Sequence, residues 1–234
     1  MKNIKKNEKT ITLPIKYKGI SLLFQTKYLK KIDEVIIIVD MVNGFVKEGN
    51  MATPYMKDLI PELTRLLEIF RRKENGLIIF VKEAHDKLCS EFEKFPEHCI
   101  KGTWEAEIID EFKKYLKDAI VIEKNSTSAI FAPGFMEIIK RMKNLKRVIV
   151  GGGCSDICSM DVALPLSNFF DQENRRTKVI FPKNANDTYD APNHNRDEYN
   201  EMAYKFMSQA GIEVVDRYVD SEELEKTNGR VLKF

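Results

Sequence analysis

The stretch VIVGGGCSDICSMDVA, Val148 to Ala163, has the pattern of a buried strand that turns into a helix, and the fold prediction starts from it. A short apolar strand, Val148 to Val150, runs into three glycines, and Cys158 follows near the start of a predicted helix. Backbone N–H groups at a helix N-terminus are unpaired and carry partial positive charge, so they favour a thiolate and can bind a developing oxyanion. The stretch therefore predicts a reactive thiol at a strand-to-helix turn.

Apolar strand segments alternate with helical segments along the rest of the chain. The predicted strands are Glu34–Asp40, Leu77–Lys82, Ala119–Glu123, Arg147–Val150, Lys178–Phe181 and Ile212–Asp216. The predicted helices are Tyr55–Arg72, Glu105–Lys117, Gly134–Asn144, a helix from near Cys158 to about Phe170 that Pro165 kinks or ends early, and Arg196–Ala210. This alternation predicts a three-layer α/β/α fold with a mostly parallel, six-stranded, doubly wound sheet.

Length and composition predict one soluble α/β domain. The chain has 234 residues, 43% of them hydrophobic and 32% charged, which suits a single large core. The predicted domain covers 34–220, between an N-terminal extension, 1–33, and a C-terminal tail, 221–234. Within the extension, Thr10–Tyr17 is compatible with an edge strand or a short helix.

Charge and cysteine usage narrow the expected partners and location. The formal net charge is +2 and the basic residues form no long stripe, so no nucleic-acid partner is predicted. No segment approaches 18 apolar residues, so no membrane span is predicted. Four cysteines without a recognisable export signal predict reduced thiols in the cytoplasm. The oligomeric state stays open, a homo-oligomer included.

Three chemically useful side chains stand at the ends of predicted strands. They are Asp40, Lys124 and Cys158, and in a parallel sheet they meet at one edge, where ligands bind. Taken singly, each also fits an ordinary structural role: Asp40 as a turn residue, Lys124 as a solvated cation and Cys158 as a small core residue. The glycines could also form a dinucleotide loop, but Asp156 stands where the third glycine of that motif belongs. A zinc pair of Cys154 and Cys158 lacks a matching second pair.

The contexts of these residues resemble the isochorismatase-like cysteine hydrolases, and among them the nicotinamidases. Asp40 stands in VDMVNGF, Lys124 in EKNSTSAIF and Cys158 in GGGCSDICSMDVA, in the order of the family's motifs. The resemblance covers about Glu34 to Asp216. It implies an amidohydrolase that converts nicotinamide into nicotinate and ammonia and so feeds NAD salvage.

The resemblance also implies a catalytic role for each residue. Cys158 would attack the amide carbonyl and form a thioester, Asp40 would move the proton, and Lys124 would favour the ionised thiol and carboxylate. The oxyanion hole would use the backbone N–H groups of Cys154 and Cys158. A cis peptide bond is expected at Gly153–Cys154.

The loop after the second strand resembles the nicotinamidase metal site. Glu83-Ala84-His85 stands where the family has Asp-x-His, His98 matches a later histidine, and Glu91 is the candidate for an intervening ligand. Two histidines and two carboxylates suit a divalent metal, with zinc favoured and manganese or iron compatible. Glu83 departs from the family's Asp by one methylene. Alternatively, both histidines are ordinary loop residues.

Aromatic residues and a late motif complete the expected site. Phe45 and Phe95 occupy positions where relatives pack aromatics on the substrate ring, although core packing is the ordinary role of a single Phe. The segment KNANDTYDAPNHNRDEYN, Lys183 to Asn200, resembles the nicotinamidase segment after the fifth strand. Within it, Asp187 or Asn193 is expected to cap a helix, and His194 is expected to be a structural hydrogen-bonding residue.

Two other functions compete with a nicotinamidase. One is a hydrolase of the same superfamily acting on another small amide or on a vinyl ether such as isochorismate, against which the metal motif counts. The other is a catalytically silent member that serves as a binding or scaffold protein.

Overall fold

One parallel sheet, covered by helices on both faces, dominates the computed structural model, which describes residues 28–220 and 223. The strands are β1 (Glu34–Val39), β2 (Gly76–Glu83), β3 (Ala119–Lys124), β4 (Arg147–Gly153), β5 (Lys178–Pro182), β6 (Asn186–Asp187) and β7 (Glu213–Val215). Their order is β3-β2-β1-β4-β5-β7, with β6 paired to β4, and every pairing is parallel. The strand order reverses between β1 and β4, which is where doubly wound sheets open a ligand crevice.

Seven α-helices connect the strands in the described part of the chain. They are α1 (Asn43–Val46), α2 (Pro54–Asp58), α3 (Ile60–Arg72), α4 (Asp110–Lys113), α5 (Phe135–Arg141), α6 (Met160–Gln172) and α7 (Arg196–Gln209). The predicted three-layer fold is confirmed. The sheet has seven described strands instead of six because Asn186 and Asp187 pair with Gly152 and Gly153 at the end of β4.

The central strand β1 explains why two helical layers are needed. All of its residues are buried, and its side chains alternate between the two faces of the sheet. Ile36 and Ile38 belong to the same hydrophobic cluster as Leu66 of α3, whereas Ile37 and Val39 belong to the cluster that contains Leu166 of α6. Burying one such side chain contributes roughly 1.5–3 kcal/mol, so both faces of the sheet are strongly held and its carboxyl edge is a rigid platform.

Two prolines affect their helices differently from what the sequence predicts. The predicted single helix Tyr55–Arg72 is wrong, because it is interrupted at Leu59 between α2 and α3. Pro61 has no N–H to donate and its ring crowds the preceding turn, so the helix restarts there. Pro165, by contrast, lies inside α6, which continues to Gln172, so of the two expected effects, a kink or an early end, the early end is wrong.

The predicted helix Glu105–Lys117 is also wrong, since only α4 within it is α-helical. The backbone N–H of Asn43 donates to Glu107 O at 2.9 Å, and that of Ile109 donates to Met41 O at 3.2 Å. These bonds hold residues 107–109 in an extended conformation against the loop after β1. A tertiary contact therefore overrides the local helical preference.

The predicted edge segment Thr10–Tyr17 lies outside the described residues. Leu29 and Ile32, which precede β1, are buried in the core. No helix in the described part of the chain has the length and apolar character to cross a membrane.

Candidate active site

The carboxyl edge of the sheet brings the three predicted catalytic residues together. Asp40 directly follows β1, Lys124 ends β3, and Cys158 lies between β4 and α6. Lys124 Nζ is 2.9 Å from Asp40 Oδ2 and 3.8 Å from Cys158 Sγ. All three residues are buried, with relative exposures of 3%, 1% and 7% in chain order. The edge thus combines a carboxylate, an ammonium and a thiol away from bulk water.

The backbone at Asp40 is held in an unusual conformation. Its φ is 54°, a left-handed value that costs a non-glycine residue roughly 1–2 kcal/mol. Two hydrogen bonds to β2 hold it: the Asp40 N–H donates to Val81 O, and Asp40 Oδ1 accepts from the Glu83 N–H, both at 2.9 Å. The carboxylate is therefore fixed by the sheet itself.

The protonation states follow from burial and from the shared ammonium. Burial raises the pKa of Asp40 to about 6, although Lys124 opposes the rise. Burial also raises the pKa of the Cys158 thiol well above its ordinary value, again against Lys124. For Lys124 itself, the neighbouring Asp40 and Cys158 outweigh burial and hold its pKa well above the ordinary value. Near neutral pH the resting pair is thus an ionised Asp40 beside a protonated thiol, a base next to its acid.

Glu83 makes contacts that sequence reasoning missed. Its Oε1 accepts a hydrogen bond from Lys124 Nζ at 2.7 Å and lies 3.8 Å from Cys158 Sγ. Its Oε2 is 2.9 Å from His98 Nε2 and 3.1 Å from His85 Nε2. Burial alone would raise the pKa of Glu83, but Lys124 and the two histidines hold it well below the usual range. One carboxylate therefore connects the thiol cluster with the histidine cluster.

The four predicted metal ligands form one group. Each of Glu83, His85, Glu91 and His98 offers one donor atom, and these atoms all lie within 4.8 Å of one another. Glu91 Oε1 is 3.8 Å from His85 Nε2, and Glu91 Oε2 accepts from the Thr127 N–H at 3.1 Å. Two imidazoles and two carboxylates are a donor set that zinc, manganese and iron(II) all accept.

The histidine orientations fit a metal at the centre of this group. His98 Nδ1 lies 2.7 Å from Pro96 O, which accepts its hydrogen and leaves Nε2 facing inward. His85 Nδ1 is 3.5 Å from Cys89 Sγ, so its Nε2 also faces inward. That buried His85 Nε2 makes no contact of hydrogen-bond geometry among the described residues, although Glu83 Oε2 lies 3.1 Å from it. An inward, buried nitrogen beside a carboxylate is suited to a metal bond.

The turn between β4 and α6 carries the predicted oxyanion donors. The peptide bond Gly153–Cys154 is cis, as predicted. Cys154 O accepts hydrogen bonds from the Ile157 N–H at 3.2 Å and the Ser159 N–H at 2.9 Å, which closes the turn. Within the described chain, neither the Cys154 N–H nor the Cys158 N–H donates to a backbone or side-chain acceptor. Both groups are therefore available to an anionic oxygen.

A cavity of about 540 Å³ opens over this turn. Its wall includes both predicted aromatic residues, Phe45 and Phe95. The other residues that line it are Asp40, Asn50, Met51, Ala52, Thr53, Pro54, Tyr55, Met56, Glu83, Glu91, His98, Thr127, Gly153, Cys154, Ile157, Cys158, Tyr189 and Asp190. The cavity therefore reaches the thiol, the histidine cluster and the turn at once.

The late motif lies beside the same turn, with one correction. Asn195 caps α7, since its side chain accepts from the Glu198 N–H at 3.0 Å, so the predicted caps Asp187 and Asn193 are wrong. Asp187 instead binds Arg196 through both carboxylate oxygens, at 2.9 and 2.6 Å. The Asn-Arg-Asp-Glu order at 195–198, an Asx residue followed by acidic first-turn residues, is the signal that could have located the cap.

Comparison with known proteins identifies the family. The isochorismatase domain model matches residues 34–217. The chain belongs to the isochorismatase family. Among curated relatives, this isochorismatase-family chain is 30% identical to Nicotinamidase 1 of Arabidopsis thaliana in an alignment of 148 residues that covers 56% of the chain and 59% of the relative. It is 29% identical over 126 residues to a probable inactive nicotinamidase of the same plant, covering 50% of the chain and 64% of the relative.

Solved structures share the fold of this isochorismatase-family protein. The pyrazinamidase of Pyrococcus horikoshii, solved in complex with zinc, is 24% identical with a TM-score of 0.64, covering 78% of this chain and 98% of that one. The chain matches less than two thirds of the length of either curated relative. These comparisons establish the family and the fold of an isochorismatase-like hydrolase.

Proposed function

We propose that this protein is a nicotinamidase, which hydrolyses nicotinamide to nicotinate and ammonia through a cysteine thioester. The observation that carries the proposal is the meeting of Asp40, Lys124 and Cys158 with the histidine–carboxylate cluster at one cavity. The similarity to Nicotinamidase 1 supports the choice of substrate. The product would feed NAD salvage, and the free state of the four cysteines suits a reducing cytoplasm.

The proposed reaction begins with proton transfer from Cys158 to Asp40. The sulfur then bonds to the amide carbon, whose carbonyl electron pair moves onto oxygen. Asp40 returns the proton to the amide nitrogen as the C–N bond breaks, which releases ammonia and leaves a thioester. Asp40 next takes a proton from water as the water oxygen bonds to the acyl carbon. The C–S bond then breaks, Asp40 returns the proton to the sulfur to regenerate the thiol, and the product leaves as nicotinic acid, which ionises to nicotinate.

The proposed oxyanion donors are the backbone N–H groups of Cys154 and Cys158. Their lack of other acceptors among the described residues supports the assignment. Removing one donor of this kind typically costs 10²–10³ in rate. Lys124 holds Asp40 and the thiol in place and stabilises the charges that form beside it.

The proposed metal ligands are Glu83, His85, Glu91 and His98. A bound divalent ion would act as a Lewis acid that takes up the pyridine nitrogen of the substrate and so orients its amide. Zinc is the favoured ion, and manganese or iron(II) suits the same donors. Phe45 and Phe95 are proposed to contact the pyridine ring from the cavity wall.

The charge of the cavity favours this substrate over isochorismate. Among the described residues, its lining includes Asp40, Glu83, Glu91 and Asp190 but no Lys or Arg. Anionic substrates are usually held by guanidinium or ammonium groups, and isochorismate carries two carboxylates. Nicotinamide is a neutral pyridine amide, so it needs no such cationic group in the cavity. A catalytically silent member is the other alternative, since one relative bears the name of a probable inactive nicotinamidase.

Ammonia release tests the proposal. Zinc-loaded wild-type protein should release ammonia from nicotinamide, whereas the Cys158→Ala variant should not. Chelation should abolish the activity and added zinc should restore it. No turnover by the metal-loaded wild type would contradict the nicotinamidase proposal, and turnover that chelation leaves unchanged would contradict only the metal role.

A further inference from the structure

His194 occupies a stacked position beside the nucleophile turn that the reaction above does not use. Its ring lies between two tyrosine rings, with centroid distances of 3.8 Å to Tyr189 and 3.7 Å to Tyr199. The interplanar angles are 10° and 29°. Tyr189 also lines the cavity. The imidazole therefore supports a wall of the substrate cavity from behind.

Both ring nitrogens of His194 face acceptors. Nε2 is 2.8 Å from Asp156 Oδ2, and Nδ1 is 3.0 Å from Tyr189 O. Both partners are oxygen atoms that accept hydrogen bonds, one from the main chain and one from a carboxylate. His194 thereby links residue 189 to residue 156 through one rigid ring.

Asp156 lies at the centre of the turn that bears the proposed oxyanion donors, between Cys154 and Cys158. Its Oδ1 is buried and has no hydrogen-bond partner among the described residues, so its anchoring contact there is the one to His194. A second connection supports the same turn, since Ser155 Oγ donates to Asn200 Oδ1 and the Ser155 N–H donates to Asp187 O at 2.9 Å. The start of α7 and the segment before it thus brace the turn.

We propose that Asp156 and His194 form a positioning pair that fixes the Cys154–Cys158 turn relative to the Tyr189 wall of the cavity. Neither side chain touches the reacting atoms. The pair acts through the two backbone N–H donors on one side and the tyrosine ring on the other. The expected effect of the pair on nicotinamide turnover rests on the proposed nicotinamidase function, whereas its expected effect on the mobility of the turn does not.

Asp156→Asn and His194→Phe test the pair with small changes of shape. The first removes a charge at constant size, and the second keeps the stacked ring but removes both ring nitrogens. Since misplacement of about 1 Å in an active site can cost 10²-fold, each variant should lower kcat for nicotinamide by about 10- to 100-fold. Zinc affinity and the thermal midpoint should stay close to wild type. KM should change less than kcat for Asp156→Asn, which loosens the turn.

A double variant and a matched control separate this role from general stability. Because the pair acts as one unit, the double variant Asp156→Asn/His194→Phe should be no slower than the slower single variant, within about 2-fold. Asp197→Asn makes the same chemical change on an exposed residue of α7 and should leave kcat unchanged. Single variants with wild-type kcat, or losses that multiply in the double variant, would overturn the inference.

Hydrogen–deuterium exchange tests the pair without substrate. The peptide containing residues 154–159 should exchange faster in Asp156→Asn and His194→Phe than in wild type, and at the wild-type rate in Asp197→Asn. Unchanged exchange in both variants would overturn the positioning role. If the wild type fails to hydrolyse nicotinamide, the proposed function falls, and the exchange result still decides whether the pair fixes the turn.

Discussion

Residues 154 and 158 are both cysteines, but their proposed roles differ. Cys154 acts through its backbone N–H, and Cys158 acts mainly through its sulfur. Burial raises the pKa of both thiols, but Lys124 lies 3.8 Å from Cys158 Sγ and opposes the rise there. Cys158→Ser should therefore lower kcat by about 10³-fold or more, as expected when a nucleophile is lost. Cys154→Ser keeps the backbone donor and should stay within about 10-fold of wild type. Ammonia-release kinetics measure both, and equal losses would contradict the division of tasks.

Glu83 lies where the thiol cluster and the histidine cluster meet. Glu83→Gln keeps the size of the side chain but removes the charge that faces His85 and His98. Zinc binding should weaken by about 10- to 100-fold, a loss typical of disturbed metal sites. Competition with a fluorescent zinc chelator measures it. Glu107→Gln, an exposed residue paired with Lys113, is the control, and an unchanged zinc affinity in Glu83→Gln would remove Glu83 from the ligand set.

The contacts of Glu83 with the thiol cluster could not be predicted from the sequence, although the meeting of the three strand-end residues could. The motifs predicted that Asp40, Lys124 and Cys158 converge, and the parallel sheet confirms it because the ends of neighbouring strands share one edge. In the sequence, Glu83 is recognisable only as a residue one methylene longer than the family's Asp. Its contact with Lys124 depends on side-chain reach across β2 and β3, which the sequence does not encode locally.

At the scale of elements, the glycines of β4 are explained by close packing and conformation. A Cβ at Gly152 would lie 2.1 Å from Val39 O in β1, and the φ of this residue is 129°. Gly152→Ala should therefore lower the free energy of unfolding by about 3 kcal/mol or more, from overpacking plus backbone strain. Chemical denaturation measures the change.

Gly102 provides the matched control for that substitution. Its φ is 83°, also left-handed, but an added Cβ would meet nothing within 4 Å. Gly102→Ala should cost about 1 kcal/mol from conformation alone. If both variants lost the same stability, the contact with β1 would not be the reason for glycine at 152.

Elements with strong apolar patterns were predictable, and those set by tertiary contacts were not. The strands at the centre of the sheet follow from continuous buried runs such as EVIIIV in β1. The segment predicted as Glu105–Lys117 is helical only in part because its backbone pairs with the loop after β1. The two-residue strand β6 depends wholly on its pairing with Gly152 and Gly153. No local sequence pattern predicts such tertiary contacts.

At the scale of the whole molecule, an ion cluster around the buried Glu34 lies at the start of β1, at the other end of this strand from Asp40. Glu34 is buried and contacts Lys73 and Arg147. Burial alone would raise the pKa of Glu34, but these two cations hold it below its ordinary value. A lowered folded-state pKa adds stability above the unfolded pKa, and that stability is lost as the pH falls through the folded value.

Glu34→Gln should therefore destabilise the protein near neutral pH and flatten its loss of stability on acidification. The window opens as the pH falls through about 4.5, the ordinary pKa of a glutamate. Urea midpoints of wild type and variant across this range measure the effect. Glu74→Gln, at the exposed residue next to Lys73, should leave the pH profile unchanged. Parallel profiles for wild type and Glu34→Gln would contradict a role for this carboxylate.

The proposed chemistry depends on one covalent intermediate. Zinc-loaded protein can be mixed with nicotinamide, quenched in acid at short intervals, and digested for peptide mass spectrometry. The account predicts a nicotinoyl group on the peptide that contains Cys158, which forms before nicotinate accumulates, and its absence from Cys158→Ser. Nicotinate formation at the full rate with no acyl group on Cys158 at any quench time, or with the group on another residue, would contradict the account.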